Sequence, residues 1–333
     1  MPAGYLTADC IWNSFRSSGK RHLILTGTRG SGKTTLLKQL FPQSLPGLTT
    51  WAKPGQAVYL QDNLSKETVQ VGIFDETLPG PENRMTPMED GFASLGVAAL
   101  ERYAESGHQW ICIDEIGYLE AQCEVYLEAL RKLFEKKQVV AVVRKQELPA
   151  LVELCSRKDA FVIDLDKPFG NAGCVIMASG LGKRFGGNKL MADFDGKPLI
   201  CRILDATDGI FSQRVVVTRH EDVAQICKER GIHCVLHDLP HRSDTVRLGL
   251  EALSGVERCM FVPADQPLLR KETVFALCLA AVNGSDFIWR AACEGISGSP
   301  VIFPRWAFSE LLNLPEGKGG GAVIKNTPNA YTW

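Results

Sequence analysis

Residues Gly27, Thr28, Arg29, Gly30, Ser31, Gly32, Lys33 and Thr34 fit the spacing GxxxxGK[ST] in full. Glycines let a backbone turn tightly enough for its N–H groups to converge on phosphate oxygens. In that spacing Lys33 neutralises the β- and γ-phosphates, and Thr34, followed by Thr35, offers a hydroxyl to Mg²⁺. Hydrolysis also needs an acid for the metal's water shell and a group that positions the attacking water. The run Trp110–Glu115 (WICIDE) supplies candidates for both, Asp114 for the metal and Glu115 for the water. A second set follows strand-like CVIMA: Ala178, Ser179, Gly180, Leu181 and Gly182, then Lys183, Arg184 and Lys189. Cations held beside such a loop bind a triphosphate and stabilise charge while its α-phosphorus is attacked. Attack there also calls for a metal on the α-phosphate, and Asp265, after the run CMFVP, is the candidate ligand. Gly180, Gly182 and Gly186 are spaced GxGxxxG, one residue longer than a dinucleotide fingerprint, and no apolar-faced helix opens at Gly186.

Both sets lie where strands give way to turns. RHLILTG reads as a buried strand before the first loop, and TTLLKQLF as the helix after it, stopped by Pro42. AVYLQD and VQVGIFDE are short strands in a turn-rich stretch, and residues 79–91 form a proline-rich loop. Helical spacing covers residues 92–106, 121–137 and 147–157, with strands at QWICID, VVAVV and AFVIDL. Strands alternating with helices predict parallel βαβ units. Residues 166–173 (DKPFGNAG) are poor in apolar side chains and mark a boundary between domains 1–167 and 168–333. Beyond it CVIMAS, RVVVT, HCVLH, CMFVPAD, FIW and PVIF are strands, with helices around 198–210, 220–230, 243–254 and 271–283.

A length of 333 residues fits two domains, and 45% apolar with 23% charged residues is ordinary globular composition. Lys plus Arg (37) nearly cancels Asp plus Glu (38), which argues against nucleic acid or an anionic membrane as a general partner. The 11 cysteines are scattered without a CxxC pair or zinc spacing, so they read as packing thiols in a reducing, cytoplasmic setting. Neither a signal peptide nor a membrane span is expected.

GTRGSGKTT, VGIFDE, CIDEIGYLE and VVAVV together resemble the small bacterial and archaeal nucleoside-triphosphatase family, over about residues 20–165. That resemblance implies Mg²⁺-dependent hydrolysis of nucleoside triphosphates, ATP or GTP, with Asp114 on the metal and Glu115 as the base. Glu120 falls on the family's trailing Glu, although a carboxylate at a helix start is ordinarily solvated. Arg84, in the proline-rich loop, is a candidate for the γ-phosphate against a reading as plain surface. MASGLGKRFGGNKLM, DQPLL, SDTVRLGLEAL and GSPVIFP resemble the MobA-like molybdenum-cofactor nucleotidyltransferases, over about residues 172–326. The resemblance implies a Rossmann-like sheet and transfer of CMP or GMP to molybdopterin phosphate with release of pyrophosphate. Gly180 and Gly182 would then contact the nucleotide, Arg184 and Lys189 its phosphates, and Asp265 the Mg²⁺.

Three positions depart from that pattern. Ser179 replaces an Ala or Gly associated with base choice, Gly317 stands where a carboxylate is common, and the chain stops at NAYTW, short of a usual terminal strand and helix. The sequence therefore predicts two tandem three-layer α/β domains, a P-loop NTPase followed by a Rossmann-like nucleotidyltransferase. It predicts a CTP-preferring cytidylyltransferase that acts in molybdenum-enzyme cofactor maturation, with a molybdenum hydroxylase as a further partner. A nucleotide-gated chaperone or carrier with an inactive transferase half, or transfer to another small phosphate, remain the alternatives.

Overall fold

The computed structural model describes residues 6–78, 84–182, 185–327 and 330–332. The chain divides into two compact units, one of residues 18–168 and one of residues 169–333 together with the N-terminal segment up to Ser17.

In the first unit the described strands, in chain order, are β1 (His22–Gly27), β2 (Gly47–Lys53), β3 (Ala57–Asp62), β4 (Thr68–Phe74), β5 (Met85–Pro87), β6 (Trp110–Ile116), β7 (Gln138–Arg144) and β8 (Ala160–Asp164). They form one sheet in the order β5-β4-β3-β2-β6-β7-β1-β8. β2, β6, β7, β1 and β8 run parallel, as the βαβ pattern predicts, and β3, β4 and β5 join antiparallel. The turn-rich stretch thus holds one more strand than its sequence suggests, β2, and the described part of the segment expected to be a proline-rich loop holds β5 and a short helix, Glu89–Gly91. The pattern of GLTTWAK gives little sign of a strand, because only its first two residues are buried. Parallel central strands are buried on both faces, which is why all of β1 and residues 139–143 of β7 are inaccessible. The core gathers Ile24, Leu60, Phe92, Tyr103, Ile113 and Phe134 around that sheet.

In the second unit the described strands are β9 (Ala172–Ala178), β10 (Gln213–Thr218), β11 (His233–Leu236), β12 (Arg258–Pro263), β13 (Ile288–Cys293), β14 (Ile296–Pro304) and β15 (Ala330–Thr332). Their order is β11-β10-β9-β12-β14-β13-β15. β11, β10, β9 and β12 are parallel, and β14 is antiparallel to both neighbours. Helices Leu199–Ala206, Glu221–Glu229, Arg242–Glu251 and Lys271–Asn283 occupy the stretches with helical spacing. The last described residues, in β15, pair parallel with β13.

Helix Ala8–Ser17, which a division at residue 167 gives to the first domain, belongs to the second unit. Its Ile11 and Phe15 are buried, and burial, then the carboxylate of Glu272, raises the pKa of the Cys10 thiol. The stretch 166–173 is no free spacer either. Phe169 is buried and stacks on Phe275 at 5.1 Å, Ala172 already begins β9, and Asp166 is engaged in the first unit. Among the described residues no helix is long and apolar enough to cross a membrane. All cysteines are free, and burial pushes the thiols of Cys112 and Cys174 up to about 12.

Candidate functional sites

The first loop leaves β1 at Gly27 and enters helix Lys33–Leu40. Gly27, Gly30 and Gly32 have φ of 143°, 80° and 96°, a region that side chains resist. At Gly27 a Cβ would also lie 2.8 Å from Ser31 Oγ. No side chain caps the helix start, so its first N–H groups face the loop's hollow without a side-chain partner. Lys33 Nζ donates to the carbonyls of Gly27 and Thr28, each at 2.7 Å. Burial lowers the Lys33 pKa. Asp166 closes the other side, accepting from Thr28 N at 2.9 Å and Thr28 Oγ1 at 2.9 Å. Lys145 bridges Asp166 and Asp164 at 3.1 and 2.7 Å. Arg29, Thr34 and Thr35 are exposed at the mouth.

Asp114 pairs in register with Val142, as Leu25 does, so it stands level with the root of the loop. One strand, β7, lies between β6 and β1, a spacing of about 10 Å that accommodates a cation and phosphate oxygens. Burial, with repulsion from Glu115 behind it, raises the carboxyl of Asp114. Glu115 has φ of 102° and sits where the β6–β7 register slips. Such a bulge re-aims a side chain, and the strain is held by its surroundings. Here the Glu115 carboxylate accepts from Arg144 Nε at the end of β7. A Cβ on Gly117 would lie 2.7 Å from Arg144 Cδ, so the glycine of DEIG clears space for this arginine.

Glu120 is not solvated, as a helix-start carboxylate would be. It is buried, accepting from Gly117 N at 2.8 Å and Thr50 Oγ1 at 3.0 Å, and burial raises its pKa. It ties the DEIG turn to β2. Arg84 is exposed, and its carbonyl accepts from Asp75 N at 3.0 Å.

The second loop leaves β9 at Ala178. Gly182 has φ of 56°, and a Cβ there would lie 2.3 Å from the carbonyl oxygen of Gly187, so the loop folds back on itself only with glycine. Lys183 and Arg184 lie outside the described residues. Leu181 is exposed. Lys189 opens a short turn capped by Asn188, which accepts from Leu190 N at 3.1 Å and donates to Asp222 at 2.8 Å. β12 lies beside β9, and Ala264 N donates to Met177 O at 3.0 Å, which brings Asp265 to the same edge as the loop. Lys189 Nζ stands 3.7 Å from Asp265 Oδ2. The tertiary pairing adds two residues that no spacing revealed. Ser179 Oγ donates to Val217 O at 3.1 Å and lies 2.7 Å from His237 Nε2. His220 Nε2 lies 2.9 Å from Gly180 O. Burial, then Arg219, lowers the pKa of His237, so it is neutral at pH 7 and its Nε2–H donates to Ser179.

Among the described residues no three His, Cys, Asp or Glu side chains converge into a metal cage. The donor set of each site is instead a single carboxylate at a strand end, which suits a Mg²⁺ held mainly by phosphate and water oxygens.

These are two α/β units, each with a glycine-rich loop and an acidic residue at the carboxyl ends of the parallel strands of a mixed sheet. Residues 75–169 match the NTPase family, and residues 174–330 match the MobA-like NTP transferase domain family. The nucleoside-triphosphatase THEP1 of Thermotoga sp. (strain RQ2) is 28% identical over 167 residues, covering 45% of this chain and 89% of the relative. A 3-deoxy-manno-octulosonate cytidylyltransferase of Neisseria meningitidis serogroup A is 33% identical over 92 residues, covering 26% of this chain and 36% of the relative. Among solved structures, THEP1 of Aquifex aeolicus is similar over 43% of this chain and 89% of its own, with 22% identity and a TM-score of 0.37. A nucleotidyl transferase from Methanothermobacter is similar over 49% and 86%, with 18% identity and a TM-score of 0.40. The chain joins a THEP1-like NTPase domain to a MobA-like NTP transferase domain.

Proposed function

We propose that the second unit transfers CMP from CTP to molybdopterin, releasing pyrophosphate, and that the first hydrolyses ATP or GTP during maturation of a molybdenum hydroxylase. The observation that carries the transfer is the convergence of the glycine loop, Lys189 and Asp265 at one sheet edge. The loop amides hold the nucleotide, Lys189 neutralises its phosphates, and Arg184 is assigned to the same task from its sequence position. The acceptor oxygen attacks the α-phosphorus and pyrophosphate departs. In the first unit Lys33 leaves the loop carbonyls for the β- and γ-phosphates, and Glu115, oriented by Arg144, positions water. Mg²⁺, held by Thr34 and Asp114 in one unit and by Asp265 in the other, would supply charge neutralisation at the phosphate oxygens. The Ser179 side chain, held through its hydroxyl by Val217 O and His237, fills space that a Gly at this position would leave open, which leaves less room for a purine than Gly does. CTP should be preferred over GTP by about tenfold, or ~1.4 kcal/mol. A competition assay with molybdopterin, CTP and GTP, read by pyrophosphate release, tests the reading; equal use of both nucleotides overturns the base preference, and no release overturns the acceptor.

A further inference from the structure

Two cysteines of the second unit meet between a helix and an edge strand. Cys227 lies in helix Glu221–Glu229, where Val223 and Cys227, one turn apart, are the buried residues. Cys234 lies in β11, which pairs with β10 alone among the described strands. Alternation fixes the face that Cys234 presents. Val215 and Val217 of β10 and Val235 of β11 pack into the core on one side of the sheet, so Val216 and its register partner Cys234 point to the other. The chain turns from the helix into β11 through Gly231, with φ of 64°, and Ile232 N donates to Cys227 O at 2.9 Å. This return brings the two sulfurs into hydrogen-bond contact.

The pair is asymmetric. Cys227 is buried and donates its S–H to Cys234, which raises the Cys227 pKa and lowers that of Cys234. Cys234 is partly exposed, so a dissolved oxidant meets the sulfur that ionises more readily. Arg214 and Arg230 stand near Cys227, and their charge favours a thiolate there once its partner is oxidised. Cys174, Cys259 and Cys278 are also neighbours, but all three are fully buried, which raises their thiols and withholds them from solvent. Three residues beyond Cys234 comes His237, whose N donates to Thr218 O at 3.0 Å and whose Nε2 lies 2.7 Å from Ser179 Oγ in the second loop. A disulfide bond is shorter than a thiol–thiol contact, so closing it draws β11 toward the helix and pulls on that histidine.

We propose that Cys227 and Cys234 form a reversible oxidation site for a hydroperoxide, and that their disulfide weakens nucleotide binding at the second loop by displacing His237 from Ser179. The second clause rests on the proposed transfer reading; the thiol pair does not. The Cys234 thiolate attacks a peroxide oxygen, an S–O bond forms, the O–O bond breaks, and the departing hydroxide takes a proton to become water. Cys227 sulfur then attacks the sulfenic sulfur, the S–S bond forms, and the S–O bond breaks. The leaving hydroxide takes the Cys227 proton as a second water. Both sulfurs are oxidised, the peroxide is reduced, and a dithiol such as dithiothreitol reverses the change.

Hydrogen peroxide on the reduced full chain, followed by thiol blocking and tryptic mapping, tests the pair. Trypsin cuts at Lys228 and Arg230, between the two cysteines, so a disulfide joins two separate peptides. The Cys227–Cys234 link should exceed every other pairing by at least about tenfold and vanish with dithiothreitol. CTP affinity, read by calorimetry, should fall about fivefold on oxidation and return on reduction. Cys234→Ser should bind CTP as the reduced wild type does and ignore peroxide; Cys227→Ser should behave alike, and the half-exposed position serves should the buried one fail to fold. Absence of the link, or links spread evenly over the cysteines, would overturn the site. A complete link with unchanged CTP affinity, or an equal loss of affinity in peroxide-treated Cys234→Ser, would overturn its effect on the loop. The peptide map judges the pair whether or not CTP binds, and reduced protein that binds no CTP fails the transfer reading alone.

Discussion

The two glycine-rich loops solve one problem in different ways. The first is locked from within: Lys33 reaches back to the carbonyls of Gly27 and Thr28, and Asp166 clamps Thr28 from the far end of the unit. The second carries, among its described residues, a backbone bond from Phe185 N to Gly182 O at 2.7 Å. It is shaped by the close approach of Gly182 to Gly187, and Lys189 pairs across to Asp265 in the turn after β12. A locked loop presents its amides ready-made and must release one lysine to take a phosphate. A loop closed by a neighbouring strand depends on that strand's charge. Lesions in the two units should therefore differ in size and in what they spare.

The largest expected effect is Asp265→Asn, which keeps size but removes the charge proposed to hold the cation, beside Lys189. Transfer should fall by about 10³-fold while hydrolysis stays within about twofold. Asp114→Asn should do the reverse. Loss of both activities from either variant, at unchanged melting temperature, would erase the contrast and make the sites one functional system.

Stability should separate the units next. His22 is fully buried in the first unit, accepting from Val139 N at 3.2 Å, and burial lowers its pKa to about 4. A depressed histidine pKa means that its stabilising contribution is complete above about 6.5 and is lost as pH falls toward 4. The full loss amounts to at most about 3 kcal/mol. Denaturant titrations of residues 18–168 at pH 7 and 4.5 should show it, and His22→Gln should flatten the difference. A wild-type curve as flat as the variant's would mean that the imidazole is not held neutral.

Lys33→Ala should lower hydrolysis by about a hundredfold, since the amide cradle survives without its cation. Transfer should not change. A smaller effect is expected at Glu115→Gln and at Arg144→Gln, each slowing turnover by about tenfold with nucleotide affinity intact, because only the orientation of water suffers. If Arg144→Gln alone hydrolyses at the wild-type rate, the Glu115–Arg144 pair shapes the turn and not the chemistry.

The residue pattern by itself determined much of this protein. The glycine spacing at Gly27–Lys33 and Gly180–Gly182, the acids closing the WICID and CMFVP strands, and the alternation of buried strands with helices were all local signals. They were legible because backbone conformation and periodicity are set within a few residues. What only the tertiary structure decided lies across strands. Arg144 gave no sign of its role until β7 placed it beside Glu115, and His237 met Ser179 only through the stacking of β9, β10 and β11. Glu120 read as solvated because its neighbours on β2 are seventy residues away in sequence. Helix Ala8–Ser17 likewise found its place through burial of Ile11 and Phe15 in a unit that begins far down the chain. A motif fixes which atoms are offered; the partners that orient, bury and charge them come from elements distant in sequence, and no local pattern encodes that distance.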